Sequence, residues 1–130
     1  MSIMMVFEAE TGISEVDFRK ALVSSGVKDF YVNGRSIRGN FPLSNMYFSF
    51  QRESIEKSKI NAEGYEGNWV VGMRCIFVYV IENLDECRRQ LKNFLAEISR
   101  VSAANWVLSF QYESIYATRD DQGIRHFLEF

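Results

Sequence analysis

The stretch Asn83 to Val101, NLDECRRQLKNFLAEISRV, decides the fold. Its apolar residues Leu84, Cys87, Leu91, Phe94, Leu95, Ile98 and Val101 recur at alternating three- and four-residue steps. That spacing places one stripe along one side of a helix. Asp85, Arg88, Arg89, Lys92 and Ala96 fall on the other side. Asn83 stands where an N-cap belongs, with Glu86 at the third helical position. A helix with one apolar stripe needs one apolar surface to cover, and the rest of the chain supplies a sheet.

An earlier segment carries the same grammar. Ser14 is an N-cap with Asp17 at N3, a near capping box, while Ile13 and Phe18 are placed as a hydrophobic staple. Phe18, Ala21 and Leu22 form the buried stripe, and Gly26 can close the helix in a left-handed conformation. Between and around the two helices the period drops to two. Ile3 to Ala9 is a short apolar strand, and Val27 to Arg38 reads as a hairpin about Asn33-Gly34. Met46 to Arg52 alternates, with Met46, Phe48 and Phe50 on one face. Asn68 to Ile81 is apolar on both faces for part of its length, interrupted by Arg74, as expected of a central strand covered on both sides. Trp106 to Thr118 reads as one long strand. Asp120-Asp121-Gln122-Gly123 is a turn, and Ile124 to Phe130 returns as the last strand.

The expected architecture is one α+β domain over residues 1–130: a single antiparallel sheet of about six or seven strands with two helices packed on one face. The aromatic share of 15% agrees with a strand-rich chain. At 130 residues such a domain needs neither disulfide nor metal. Cys75 and Cys87 both fall at apolar positions and read as reduced core residues. Met1 to Glu10 has no basic leader pattern, and the most apolar run is too short to cross a bilayer, so the expected compartment is the cytoplasm.

Chemistry is harder to find. The single histidine, His126, lies beside no nucleophile signature and reads as an ordinary strand residue. No phosphate-binding glycine motif occurs, and Asp120-Asp121 is explained by turn chemistry. One histidine and two separated cysteines cannot build a zinc site of the usual ligand count without carboxylates. No catalytic residue, metal or cofactor is therefore expected. A net charge of −2 lacks the basic excess of a general nucleic-acid binder. Arg88, Arg89 and Lys92 stand within reach of Asp85 and Glu86, as on a solvated helix face. Tyr31, Asn33, Arg35 and Arg38 interleave aromatic and basic groups on a strand pair, a pattern able to stack bases, but without an RNA-binding signature.

The stretch Glu53 to Gly67 resists a purely structural reading. It mixes Glu53, Glu56, Lys57, Lys59, Glu63 and Glu66 with two glycines, and is long for a connection inside a compact domain. Glu63, Tyr65 and Glu66 put a tyrosine among carboxylates, suited to a partner with a basic cleft. Tyr112, Glu113 and Tyr116 form a second candidate contact set.

In overall character, and in segments such as MYFSFQRE and WVLSFQYESIYATRDDQGI, the chain resembles the small immunity proteins of bacterial toxin systems, including those of contact-dependent growth inhibition. The resemblance implies a non-enzymatic protein that binds a cognate toxin domain, such as a nuclease, one to one and blocks its active site. It implies no direct contact with nucleic acid or membrane. The alternative is a small-molecule site or small enzyme in a concave sheet lined by Trp69, Trp106 and tyrosines.

Overall fold

The computed structural model describes residues 3–54 and 58–128. In chain order the elements are β1 (Ile3–Glu10), α1 (Glu15–Ser24), β2 (Phe30–Asn33), β3 (Ser36–Asn40), β4 (Tyr47–Arg52), β5 (Val71–Tyr79), α2 (Leu84–Val101), β6 (Trp106–Phe110), β7 (Ser114–Asp120) and β8 (Gly123–His126). The strands form one sheet in the order β2-β3-β4-β5-β1-β6-β7-β8, antiparallel at every step. The sheet has eight strands rather than six or seven. The additional strand comes from the 106–118 segment. Gln111 and Tyr112 both take positive φ, 50° and 68°, and turn the chain back on itself. Glu113 N–H then donates to the Phe110 carbonyl at 2.8 Å. Neither residue is a glycine, so the pattern of side chains gives no warning of this turn.

The two helices lie against each other and cover the same face. Ser14 caps α1 as a full box: Asp17 N–H donates to the Ser14 hydroxyl at 3.0 Å, and Ser14 N–H to the Asp17 carboxylate at 3.4 Å. The start of α2 differs from expectation. A 3₁₀ turn over Ile81–Asn83 leads into it, and the Asn83 side chain makes no capping bond. Its amide instead donates to the Ser44 carbonyl at 3.2 Å, tying α2 to the β3–β4 loop. Gln90, buried in α2, strengthens that tie by donating to the Pro42 carbonyl at 2.6 Å and accepting from the Ser44 hydroxyl. The loop thus clamped contains Leu43 and Asn45, both at positive φ.

The β2–β3 hairpin closes one residue later than the sequence suggests. Asn33 pairs with Ser36, so Gly34 and Arg35 are the central residues. Gly34 holds φ +62° and Arg35 does not, the arrangement of a type II′ turn with glycine first. At the opposite edge Asp120 pairs with Gly123, whose φ is +111°, as that turn requires.

Beneath the helices the core is an aromatic stack. Phe94 of α2 lies 5.2 Å from Phe77, 5.5 Å from Phe18 and 5.8 Å from Phe7, ring centre to ring centre. It therefore joins both helices to the two central strands. Trp106 is fully buried beside Phe7 and donates its indole N–H to the Ser99 hydroxyl at 2.9 Å. Cys75 and Cys87 are both free and buried, and burial pushes the Cys75 thiol well above its ordinary pKa. Phe94→Ala should destabilise the domain by about 3–5 kcal/mol in urea unfolding, the usual cost of emptying such a site.

Tyr79 supplies a second test. Its hydroxyl is buried without a hydrogen-bond partner among the described residues, and desolvation raises its pKa. The folded state thus holds the phenolic proton more tightly than the unfolded chain. That contribution is complete below the unfolded value of about 10 and is lost as pH rises through the folded value. Tyr79→Phe should be neutral or stabilising near pH 7, by up to about 2 kcal/mol. It should also reduce the fall in stability above about pH 10, measured by denaturant titration across that range.

Candidate functional site

The sheet face away from the helices is formed by alternate residues of the same strands. On the two central strands these include Val6 and Glu8 of β1 and Arg74 of β5, and on β6 Val107 and Ser109. All five are buried. Over the central strands this face is covered by residues 59–62, in the connection from β4 to β5.

What draws that segment down is a pair of opposite charges. Glu8 and Arg74 are direct cross-strand partners. The Glu8 side chain is 0% exposed, and Arg74 meets the same carboxylate oxygen through Nε at 3.0 Å and Nη2 at 2.9 Å. The segment then supplies the remaining partners. Asn61 and Ala62 donate their backbone N–H groups to the two Glu8 oxygens at 2.9 and 3.0 Å. Arg74 Nη2 donates to the Lys59 carbonyl, and Nη1 lies 3.4 Å from the Glu53 carboxylate. A buried ion pair repays its desolvation only when its remaining polar atoms are bonded as well, and here the loop backbone bonds them.

Further contacts carry the segment outward. Val71 N–H donates to the Ser58 carbonyl at 2.7 Å, and Glu63 N–H to the Tyr112 carbonyl at 2.7 Å. The second bond brings together two stretches predicted separately as contact sites. Tyr112, in the β6–β7 turn, is half-buried. Burial raises its phenol pKa, while its hydroxyl bonds the Asn61 side chain and feels Arg74, Glu8 and Glu53. Tyr112 is thus a cover over the charge cluster as well as a surface residue. Glu113, its neighbour, is exposed.

The other predicted residues divide. Glu63 and Glu66 are exposed and form no ion pair among the described residues. Tyr65 is only partly exposed. Its hydroxyl accepts the Trp69 indole N–H at 3.2 Å, and the rings lie 5.8 Å apart. A Cβ at Gly67 would come within 2.8 Å of both side chains, so glycine permits the pair to close. Tyr65, Glu66 and Trp69, with Lys59 and Ile60, line an open depression of about 520 Å³. Tyr116 does not join this surface. A bulge in the β6–β7 pairing turns it toward the core, beside Tyr79. Glu56 and Lys57 lie outside the described residues.

The aromatic pocket expected as the alternative does not form around both tryptophans. Trp106 is buried under the helices, whereas Trp69 sits on the loop across the opposite face. On α2, Arg88 and Arg89 pair with Asp85 and Glu86 as expected of a solvated face. The Arg89 bond holds the Glu86 carboxyl below its ordinary pKa. Among the described residues no group of three or more His, Cys, Asp or Glu is placed to hold a metal, and no helix is long and apolar enough to cross a membrane.

Sequence reasoning missed Glu8, Arg74, Glu53 and Asn61. A signal existed for two of them: Glu8 and Arg74 are opposite charges, each embedded in an apolar run that reads as a strand. Such charges are rarely buried unless paired.

Comparison with protein-family models, with curated proteins and with solved structures yields no match.

Arg74→Met should cost about 3–5 kcal/mol, because it leaves the Glu8 carboxylate buried without its cation. The same change should release the 58–70 segment, seen as faster proteolytic cleavage there and a red-shifted Trp69 emission, while helical circular dichroism persists. Replacing both charges, Glu8→Leu with Arg74→Leu, should be less destabilising than Arg74→Met alone.

Proposed function

We propose that this protein is an immunity-type binder that neutralises one cognate toxin domain by occupying its active-site cleft, without chemistry of its own. The observation that supports this reading most is the anchored loop. Glu63 and Glu66 are exposed carboxylates without ion pairs among the described residues, on a segment whose backbone is fastened to a buried Glu8–Arg74 pair. A loop ordered before it meets its partner loses less conformational entropy on binding, so more of the contact energy appears as affinity. Exposed carboxylates on such a ridge complement the basic cleft of an enzyme that handles a polyanion, such as a nuclease. Tyr65, Tyr112 and Trp69 stand beside them as semi-rigid aromatic contacts of the kind that dominate interface energetics. The whole-chain resemblance to toxin-system immunity proteins points the same way.

The partner surface in this reading comprises Glu63, Tyr65 and Glu66 with Tyr112 and Glu113. A small-molecule site gains no comparable support, since the two tryptophans face opposite sides of the sheet.

The test is a complex between this protein and the toxin domain encoded beside it, followed by surface plasmon resonance and by growth of cells expressing that toxin. Glu63→Lys with Glu66→Lys should slow association by roughly tenfold or more at low salt, and much less at high salt. An unchanged association rate would move the interface elsewhere on the molecule. Failure of the wild-type protein to protect such cells would end the immunity reading.

A further inference from the structure

The helix-free face has a second region, over β2, β3 and β4, where the loop does not reach. From Phe30 to Arg52 the chain carries three arginines and no Asp or Glu, although the whole protein is acidic. The pairing register sorts these residues. Tyr31 lies opposite Arg38, Arg38 opposite Ser49, and Asn40 opposite Tyr47. All stand on the face away from the buried Ile37, Phe48 and Phe50. Tyr31, Asn33, Arg38, Asn40 and Tyr47 line an open groove of about 510 Å³.

The groove residues are available. Tyr31 is 77% exposed and Tyr47 37%. Arg38 is exposed and makes no hydrogen bond or ion pair among the described residues, unlike Arg35, which donates to the Glu53 carbonyl at 3.3 Å, and Arg52, which donates to the Ile13 carbonyl at 3.2 Å. Asn40 uses one amide hydrogen on the Asn45 carbonyl, leaving its own oxygen open. The platform is firm because the adjoining loop is clamped to α2 through Ser44, Gln90 and Asn83. Two strand spacings and a two-residue offset separate the tyrosines, about 12 Å at ordinary sheet dimensions. That is too far for both to sandwich one ring. It suits a ligand with two flat groups and a negative charge between them.

We infer that this groove binds single-stranded nucleic acid, with bases stacked on Tyr31 and Tyr47 and a backbone phosphate on Arg38. Stacking asks only for the flat face of any base, so the site favours flexible single strands over duplex and reads little sequence. Asn33 and Asn40 offer amides to base edges or sugar hydroxyls. The inference rests on a surface separate from the acidic loop, and it stands or falls independently of the immunity reading.

The experiment is fluorescence anisotropy with a labelled oligothymidylate of about ten nucleotides at low salt, within the usual reach of one single-strand site. Binding is expected. Tyr31→Ala and Tyr47→Ala should each weaken it by about fivefold or more, while Tyr31→Phe and Tyr47→Phe retain it. Arg38→Ala should weaken it and make the dependence of log affinity on log salt shallower by roughly 0.7, the share of one phosphate on a single strand. All these side chains lie at the surface, and unchanged thermal unfolding would show that the variants remain folded. Absence of binding overturns the inference. So does binding indifferent to these variants, or equal binding of a duplex, which would place the contact on the basic side of α2. Equal competition by polyglutamate would overturn it in favour of an acidic protein segment. Toxin binding through Glu63 and Glu66, measured separately, tests the other surface.

Discussion

The structure turns on one charge pair held inside a sheet. Glu8 and Arg74 sit across from each other on the two central strands, on the side the helices leave bare. An isolated buried charge is costly, and even a pair is a poor bargain unless each remaining lone pair and proton is bonded. The chain meets this requirement with backbone from residues 59–62 and with Glu53. Between β4 and β5, residues 59–62 cross this face and bond both charges before the chain enters β5. That crossing has one cause, the buried pair.

That cause also separates the two sides of the molecule by kind. Under the helices, order comes from shape: Phe7, Phe18, Phe77 and Phe94 interlock, and among the described residues no charged side chain is fully buried there. Beneath the loop, order comes from bonding geometry, which fixes direction more narrowly than apolar contact. A loop held by directed bonds can keep exposed glutamates in fixed places, and one held by grease alone would do so less well. The helix-free side consequently presents an acidic ridge and, beside it, a groove of arginine and tyrosine.

Much of this arrangement is legible in the sequence. The Ser14–Asp17 box, the stripe of α2 and the alternation of β4 are local patterns, and each folds as its spacing indicates. The readings that shift share a different origin. The turn at Gln111 and Tyr112 uses non-glycine residues at positive φ, which leaves no mark in composition. Asn33-Gly34 moves by one residue because Gly34 with Arg35 makes an equally good tight turn. Asn83 bonds the β3–β4 loop rather than its own helix, since a distant carbonyl outcompetes the local amide. For the candidate site, the exposed carboxylates Glu63 and Glu66 were visible in the sequence, but their support was not. Glu8 and Arg74 are 66 residues apart, and only the sheet order makes them neighbours.

That order has a consequence for how the chain finds its fold. β1 precedes the other strands of this sheet in the chain, yet it lies between β5 and β6, with Met5 opposite both Phe77 and Phe110. One edge of β1 therefore stays open until β5 is made, past the midpoint of the chain, and the other until β6, in its last third. Helices and hairpins can form locally in microseconds, but closing loops of this span carries an entropic toll that slows the final step. During synthesis the apolar strand IMMVFEA has no partner until β5 follows, and its second edge stays open until β6 does. The glutamate within it, awkward to bury later, keeps that waiting strand wetter and less adhesive than an uninterrupted apolar run would be.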